Sequence, residues 1–169
     1  MSQYFLDGHD LYNLFEGDPI SFKDKPEDYI HGNVSLIYSI WDSENRFIYV
    51  GISGIQKDPE KRKPVSRINK HRSGRRSGNQ FCIYVHDRYV IPEIINAGSP
   101  YEYKKGHLDK LTRQHIRDHF SYRFVKFPQK NGAKIVTSLE KKIKSGVIGI
   151  FPVLNGSDDK LTKQMALPV

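Results

Sequence analysis

The sequence predicts a small α+β domain, and three observations carry that expectation. Residues 34–41 and 47–51 are rich in β-branched and aromatic side chains and flank Asp42-Ser43-Glu44-Asn45-Arg46, which is turn chemistry, so they read as a β-hairpin. Residues 121–127 alternate like a strand, with Tyr122, Phe124 and Lys126 on one side and Arg123, Val125 and Phe127 on the other, until Pro128 ends it. Three further segments have helical character. One takes Pro64 into its first turn and stops at Gly74. Another, over 107–120, turns Leu108, Leu111 and Ile116 inward, and the last, over about 133–145, carries Val136, Leu139 and Ile143 as its apolar stripe before Gly146.

A chain of 169 residues suits one domain with a real core and is short for two. Its formal charge of +8 favours polyanions, although charge alone does not separate nucleic acid from an anionic membrane. No apolar run approaches the ~20 residues that span a bilayer, and Met1-Ser2-Gln3-Tyr4-Phe5 lacks the pattern of a signal peptide, so a soluble, cytoplasmic protein without membrane partners is expected. The single cysteine, Cys82, lies in an apolar run and reads as a small buried hydrophobe.

Taken in order, residues 1–33 read as an N-terminal arm with one short helix that ends before Gly17-Asp18-Pro19. A four-residue hairpin loop would put Tyr38 directly opposite Tyr49 on one face, and a one-residue slip would send the two phenols to opposite faces. Gly51-Ile52-Ser53-Gly54 then offers backbone that a ligand can approach closely. On the next helix Arg67 and His71 are four apart, hence on one face. The run 72–80 is strongly basic, which fits a solvated loop or a contact to a nucleic-acid backbone. Residues 81–96 read as a helix that Pro92 disturbs, and Tyr101 to Gly106 sets tyrosines beside lysines. Glu140 sits at the edge of the late helical stripe among Lys141, Lys142 and Lys144. Residues 150–156 should pack back as irregular chain, and 157–169 form a tail expected to fray.

Tyr38 in Leu36-Ile37-Tyr38, Tyr49-Val50-Gly51, Arg67 with His71, Glu140 and Asn155 follow one another in an order that resembles the GIY-YIG nuclease family. The tyrosines are eleven apart and Asn155 lies fifteen beyond Glu140. The stretch Phe120-Ser121-Tyr122-Arg123-Phe124-Val125, with Thr137-Ser138-Leu139-Glu140 and Pro152-Val153-Leu154-Asn155, is most similar to its type II restriction endonuclease branch. The likeness covers residues 34–156, with insertions at about 54–64 and 75–120. Leu36 replaces the first Gly of the signature and Val50 its middle Ile, neither of which removes a functional group. The resemblance implies a central three-stranded antiparallel sheet flanked by helices, and hydrolysis of phosphodiester bonds in double-stranded DNA by a homodimer.

Such hydrolysis needs an activated water, neutralised phosphoryl charge and support for the leaving 3′-oxygen. A carboxylate-held Mg2+, for which Mn2+ can substitute, meets the last two needs, and Glu140 is the candidate ligand. Arg67 is suited to grip the scissile phosphate bidentately. The general base is Tyr38 or His71: imidazole is the easier acceptor at neutral pH, whereas in the family the first tyrosine is often assigned as base with the histidine relaying its proton. Tyr49 would orient water or phosphate, and Asn155 would hold Glu140 or the backbone in place. Lys70, Arg72, Arg75, Arg76, Lys104 and Lys105 are the expected DNA-backbone contacts. His86, His107, His115 and His119 show no matched partner in the sequence. Two rivals stand beside this reading: a repair nuclease specific for flaps or single strands, and a silent nucleic-acid-binding module.

Overall fold

The computed structural model describes residues 8–98, 104, 106–146 and 149–155. In chain order the elements are α1 (Gly8–Phe15), β1 (Ile20–Ser21), β2 (Ser35–Asp42), β3 (Phe47–Ser53), α2 (Ser66–Arg72), α3 (Gln80–Val85), α4 (Ile91–Asn96), α5 (His107–His119), β4 (Phe120–Phe127) and α6 (Gly132–Lys144). The strands form one antiparallel sheet in the order β1-β4-β2-β3. It has four strands instead of the expected three, because Ile20 and Ser21 pair with Tyr122 and Ser121 and extend the sheet beyond β4.

Every residue of β2 is buried, as its place between two neighbours and two helical layers requires. On one face Leu36, Tyr38, Ile40 and Tyr122 pack against Ile68 of α2, Phe81, Cys82 and Val85 of α3, and Ile116 of α5. On the other, Ile37, Val50 and Val125 pack against Leu14 and Phe15 of α1 and the stripe Val136, Leu139 and Ile143 of α6. Residues 8–33 are therefore built into the domain: Leu14 and Phe22 are fully buried, one in each layer. Cys82 is buried as expected, and burial pushes its thiol up to about 12.

The hairpin register departs from the expectation by two residues. Tyr38 pairs with Gly51 and Tyr49 with Ile40, and a bulge follows between Ile40 and Trp41. One residue of this arises at the turn, where the Asp42 carboxylate accepts the amides of Glu44 and Arg46 at 3.0 and 2.8 Å and Trp41 pairs with Phe47 instead of Arg46; the bulge adds the second. Because the displacement is even, both phenols still point to the α2 face. Gly51 has to be glycine, since a Cβ there would overlap the Tyr38 hydroxyl.

Proline does not end the helical run at 81–96. One turn of π-helix, His86–Val90, joins α3 to α4 and lets the chain stay helical through Pro92 to Asn96. The last described segment is irregular and covers the outer edge of β3: Val153 and Leu154 donate to the carbonyls of Phe47 and Ile48 at 3.0 and 2.8 Å. Among the described residues no helix is long and apolar enough to cross a membrane.

Candidate active site

The sheet and α2 together position the candidate residues. Ser53, at the end of β3, accepts the Arg67 amide with its hydroxyl at 3.4 Å, which fixes the start of α2 against the strand. Arg67 and His71, one turn apart on α2, then face Tyr38 and Tyr49. A cleft of about 440 Å³ opens there, lined by Tyr38, Tyr49, Arg67, Lys70, Glu140 and the 51–54 backbone among others. Four of the six expected catalytic residues thus line one cleft, and a fifth, His71, lies behind it, bonded to Tyr38.

His71 is fully buried and bonded at both ring nitrogens. Its Nε2 lies 2.7 Å from the Tyr38 hydroxyl and its Nδ1 2.9 Å from the Asn79 Oδ1. That Oδ1 also accepts the Cys82 amide at 3.4 Å, capping α3, so the atom facing the ring is an acceptor. The imidazole must then carry its hydrogen on Nδ1, which leaves Nε2 as acceptor for the phenol O–H. Asn79, His71 and Tyr38 form a directed relay with its open end at the cleft.

Burial, reinforced by the Arg67 charge and opposed by Asn79, lowers the His71 pKa to about 3. Burial also holds the Tyr38 pKa well above the usual 10; Tyr49 and Glu140 add to this, while the Arg67 guanidinium opposes it. Tyr49 is raised in the same way, again against Arg67. At neutral pH the cleft therefore presents two protonated phenols and one guanidinium facing both hydroxyls, with a neutral imidazole behind Tyr38.

The imidazole gives a test that needs no substrate. Unfolded, a histidine takes up its proton near pH 6.5, but His71 in the fold does so only at about pH 3. Between these values the unfolded chain binds more protons, so stability is full above pH 6.5 and falls as the pH drops toward 3. Urea unfolding at pH 7.5 and 4.5 should assign to His71 a loss of about 2–3 kcal/mol, absent in His71→Gln. An equal loss in both proteins would contradict the buried neutral imidazole.

Glu140 reaches the cleft from α6, its Oε1 held by Lys144 Nζ at 2.9 Å with both side chains partly buried. Among the described residues no three His, Cys, Asp or Glu side chains converge as a metal cage. A single carboxylate facing an open cleft fits Mg2+ or Mn2+, which keeps waters and completes its shell on substrate oxygens, and does not fit a structural zinc site.

Asn155 does not line the cleft. Of the two roles expected for it, holding Glu140 or the backbone, it takes the second: its Oδ1 accepts the Val50 amide at 3.1 Å and its Nδ2 donates to the Val50 carbonyl at 2.7 Å. It completes the pairing along the β3 edge behind Tyr49. Asn155→Ala should cost about 1–3 kcal/mol in urea unfolding through the two lost bonds, with any activity per folded molecule falling only a few-fold.

The expected DNA contacts divide. Lys70 is exposed on the cleft wall, and Arg75 reaches solvent on the loop after α2. Arg72 is partly committed, donating to the carbonyls of Phe22 and Lys23 at 3.0 and 3.1 Å. Arg76 is not free for DNA, because Asp109 holds its Nε at 2.8 Å. Lys104 is exposed, and Lys105 lies outside the described residues, as do Tyr101 and Tyr103. His115 does have a partner, Glu93 at 3.2 Å, and His86 is paired with Asp87 at 2.7 Å. Sequence reasoning missed Asn79, although an Asn directly before Gln80-Phe81 carries the signal of a helix N-cap. Arg113 and Arg117, on the polar side of α5, also went unmarked.

Comparison of the chain with protein-family models, curated proteins and solved structures finds no match.

Proposed function

We propose that the chain is a metal-dependent DNA endonuclease of the GIY-YIG type, restriction-enzyme-like in its substrate. The observation that carries this reading is the Tyr38–His71–Asn79 relay opening onto a cleft that also holds Tyr49, Arg67 and Glu140. In this mechanism Arg67 grips the scissile phosphate and offsets charge that builds on its oxygens. Tyr38 accepts a proton from the attacking water as it passes its own to His71 Nε2, and Asn79 keeps the imidazole in the tautomer able to receive it. The low pKa that burial and the Arg67 charge give His71 opposes this transfer, and a bound phosphodiester anion eases it by compensating the Arg67 part. Tyr49 holds water or a phosphoryl oxygen by its hydroxyl. Glu140 would hold Mg2+, which supplies Lewis-acid stabilisation of the phosphoryl and leaving oxygens.

Cutting both strands needs two such clefts, so the proposal includes a homodimer on double-stranded DNA, a symmetry that matches a palindromic target. The test is a substrate panel: unmethylated plasmid and phage DNA, nicked and flapped duplexes, and single strands, each with Mg2+. Discrete fragments from intact duplex support the restriction-like reading. Cleavage confined to flaps or single strands would replace it with a repair nuclease, and binding without cleavage would leave a nucleic-acid-binding module.

A further inference from the structure

Beside the cleft lies a larger depression of about 780 Å³, formed where the end of α2 and the following loop meet α5. Its wall carries Lys70, Arg72, Arg75, Arg113 and Arg117, and among the described residues no carboxylate lines it. Gly74 builds this wall: at φ +68° it lets the α2 end abut the α5 backbone at Arg113, where any side chain would collide. Arg113 and Arg117, four apart, project on one face of α5 toward the depression. Of the neighbouring acids, Asp118 is held by Lys23 at 3.1 Å and Asp109 by Arg76 at 2.8 Å, while Glu27 accepts from Asn69 at the rim at 2.5 Å.

Five cations crowded with so little counter-charge are costly. Arg117 has its Nε buried with no partner among the described residues, and burial together with Arg72 and Arg113 lowers its pKa. Such an arrangement is complementary to an anion with several charges. Two features favour a polymer over a small ion. The depression shares Ser66 and Lys70 with the cleft, so one ligand can occupy both. Beyond Ile55 the cleft also adjoins a second depression rimmed by Lys57, Lys130, Lys134 and Lys141, which extends the cationic path past Arg67 on the other side.

We infer that the Arg113–Arg117 depression is a second phosphate-binding site, which seats the DNA backbone flanking the phosphate held at Arg67. The inference rests on the nuclease reading for its substrate, yet it is tested by binding alone. Duplex affinity is measured by fluorescence anisotropy in EDTA, from 50 to 300 mM salt, for the wild type, Arg113→Gln/Arg117→Gln, and Arg75→Gln/Arg113→Gln. The last pair changes only exposed side chains, so it remains informative if loss of the half-buried Arg117 perturbs folding. Arg46→Gln, at the hairpin corner, is the control for loss of one positive charge.

Each double variant should bind about 10–100-fold more weakly, on any sequence, with the log–log salt slope reduced by roughly 2 as two phosphate contacts are lost. Affinity and slope like those of Arg46→Gln in both double variants would overturn the site. Competition by millimolar inorganic phosphate that abolishes the difference between wild type and variants would overturn it in favour of a small-anion site. Variants that bind like wild type while the wild type cuts DNA with Mg2+ would remove the depression and leave the nuclease; weakened variants of a protein that never cuts would do the reverse.

Discussion

Tyr38→Phe should lower the rate of DNA cleavage by about 10²–10⁴-fold, the range for loss of a positioned acid–base group. The substitution removes one oxygen from a fully buried ring and leaves the packing in place. It also leaves His71 Nε2 buried without its donor, at a stability cost of roughly 1–3 kcal/mol. The two effects separate experimentally, since single-turnover cleavage reads the first and urea unfolding the second. DNA affinity in EDTA should stay within a few-fold of wild type, because Arg67 and the surrounding cations are unchanged. A variant that unfolds more readily but cuts within about threefold of wild type would mean that the Tyr38–His71 bond only holds α2 to the sheet.

Glu140→Ala should be at least as damaging, with a loss of about 10³-fold or more, because among the described residues its carboxylate is the single acidic donor lining the cleft. Its fold should survive. Glu140 is partly buried, its partner Lys144 is partly exposed, and an (i, i+4) pair of that kind contributes only about 0.3–0.5 kcal/mol. Removing the carboxylate also frees the phenols from one of the charges that raise their pKa, so the inactivity could not be blamed on harder deprotonation of Tyr38. Higher Mg2+ should not restore the rate.

Much of this arrangement was legible in the sequence because it rests on short periods. Hairpin parity put Tyr38 and Tyr49 on one face, and this survived a register error of two since an even displacement preserves the face. Helical spacing put Arg67 beside His71. The rest depended on contacts distant in sequence. Ile20 and Ser21 are too few to announce a strand and form one only because β4 offers an edge. Arg76 looked like its basic neighbours until the fold brought Asp109 to it, and Asn155 joined the backbone of Val50, 105 residues earlier. Asn79, in a run of Gly, Ser and Arg, reads as loop; its role in orienting His71 follows from where α3 begins. The apolar stripe of α5 carries no sign of Arg113 and Arg117, which lie on the helix's opposite face and gain a role only where the end of α2 meets it.

The most direct test of the central claim is cleavage of supercoiled, unmethylated plasmid by the purified protein and by Glu140→Ala, each in Mg2+ and in EDTA. Cleavage by the wild type in Mg2+ alone, with no product in the other three reactions, is the predicted result. Equal cleavage by both proteins, or plasmid bound and left intact by the wild type in Mg2+, would contradict the assignment of this cleft as a metal-dependent nuclease site.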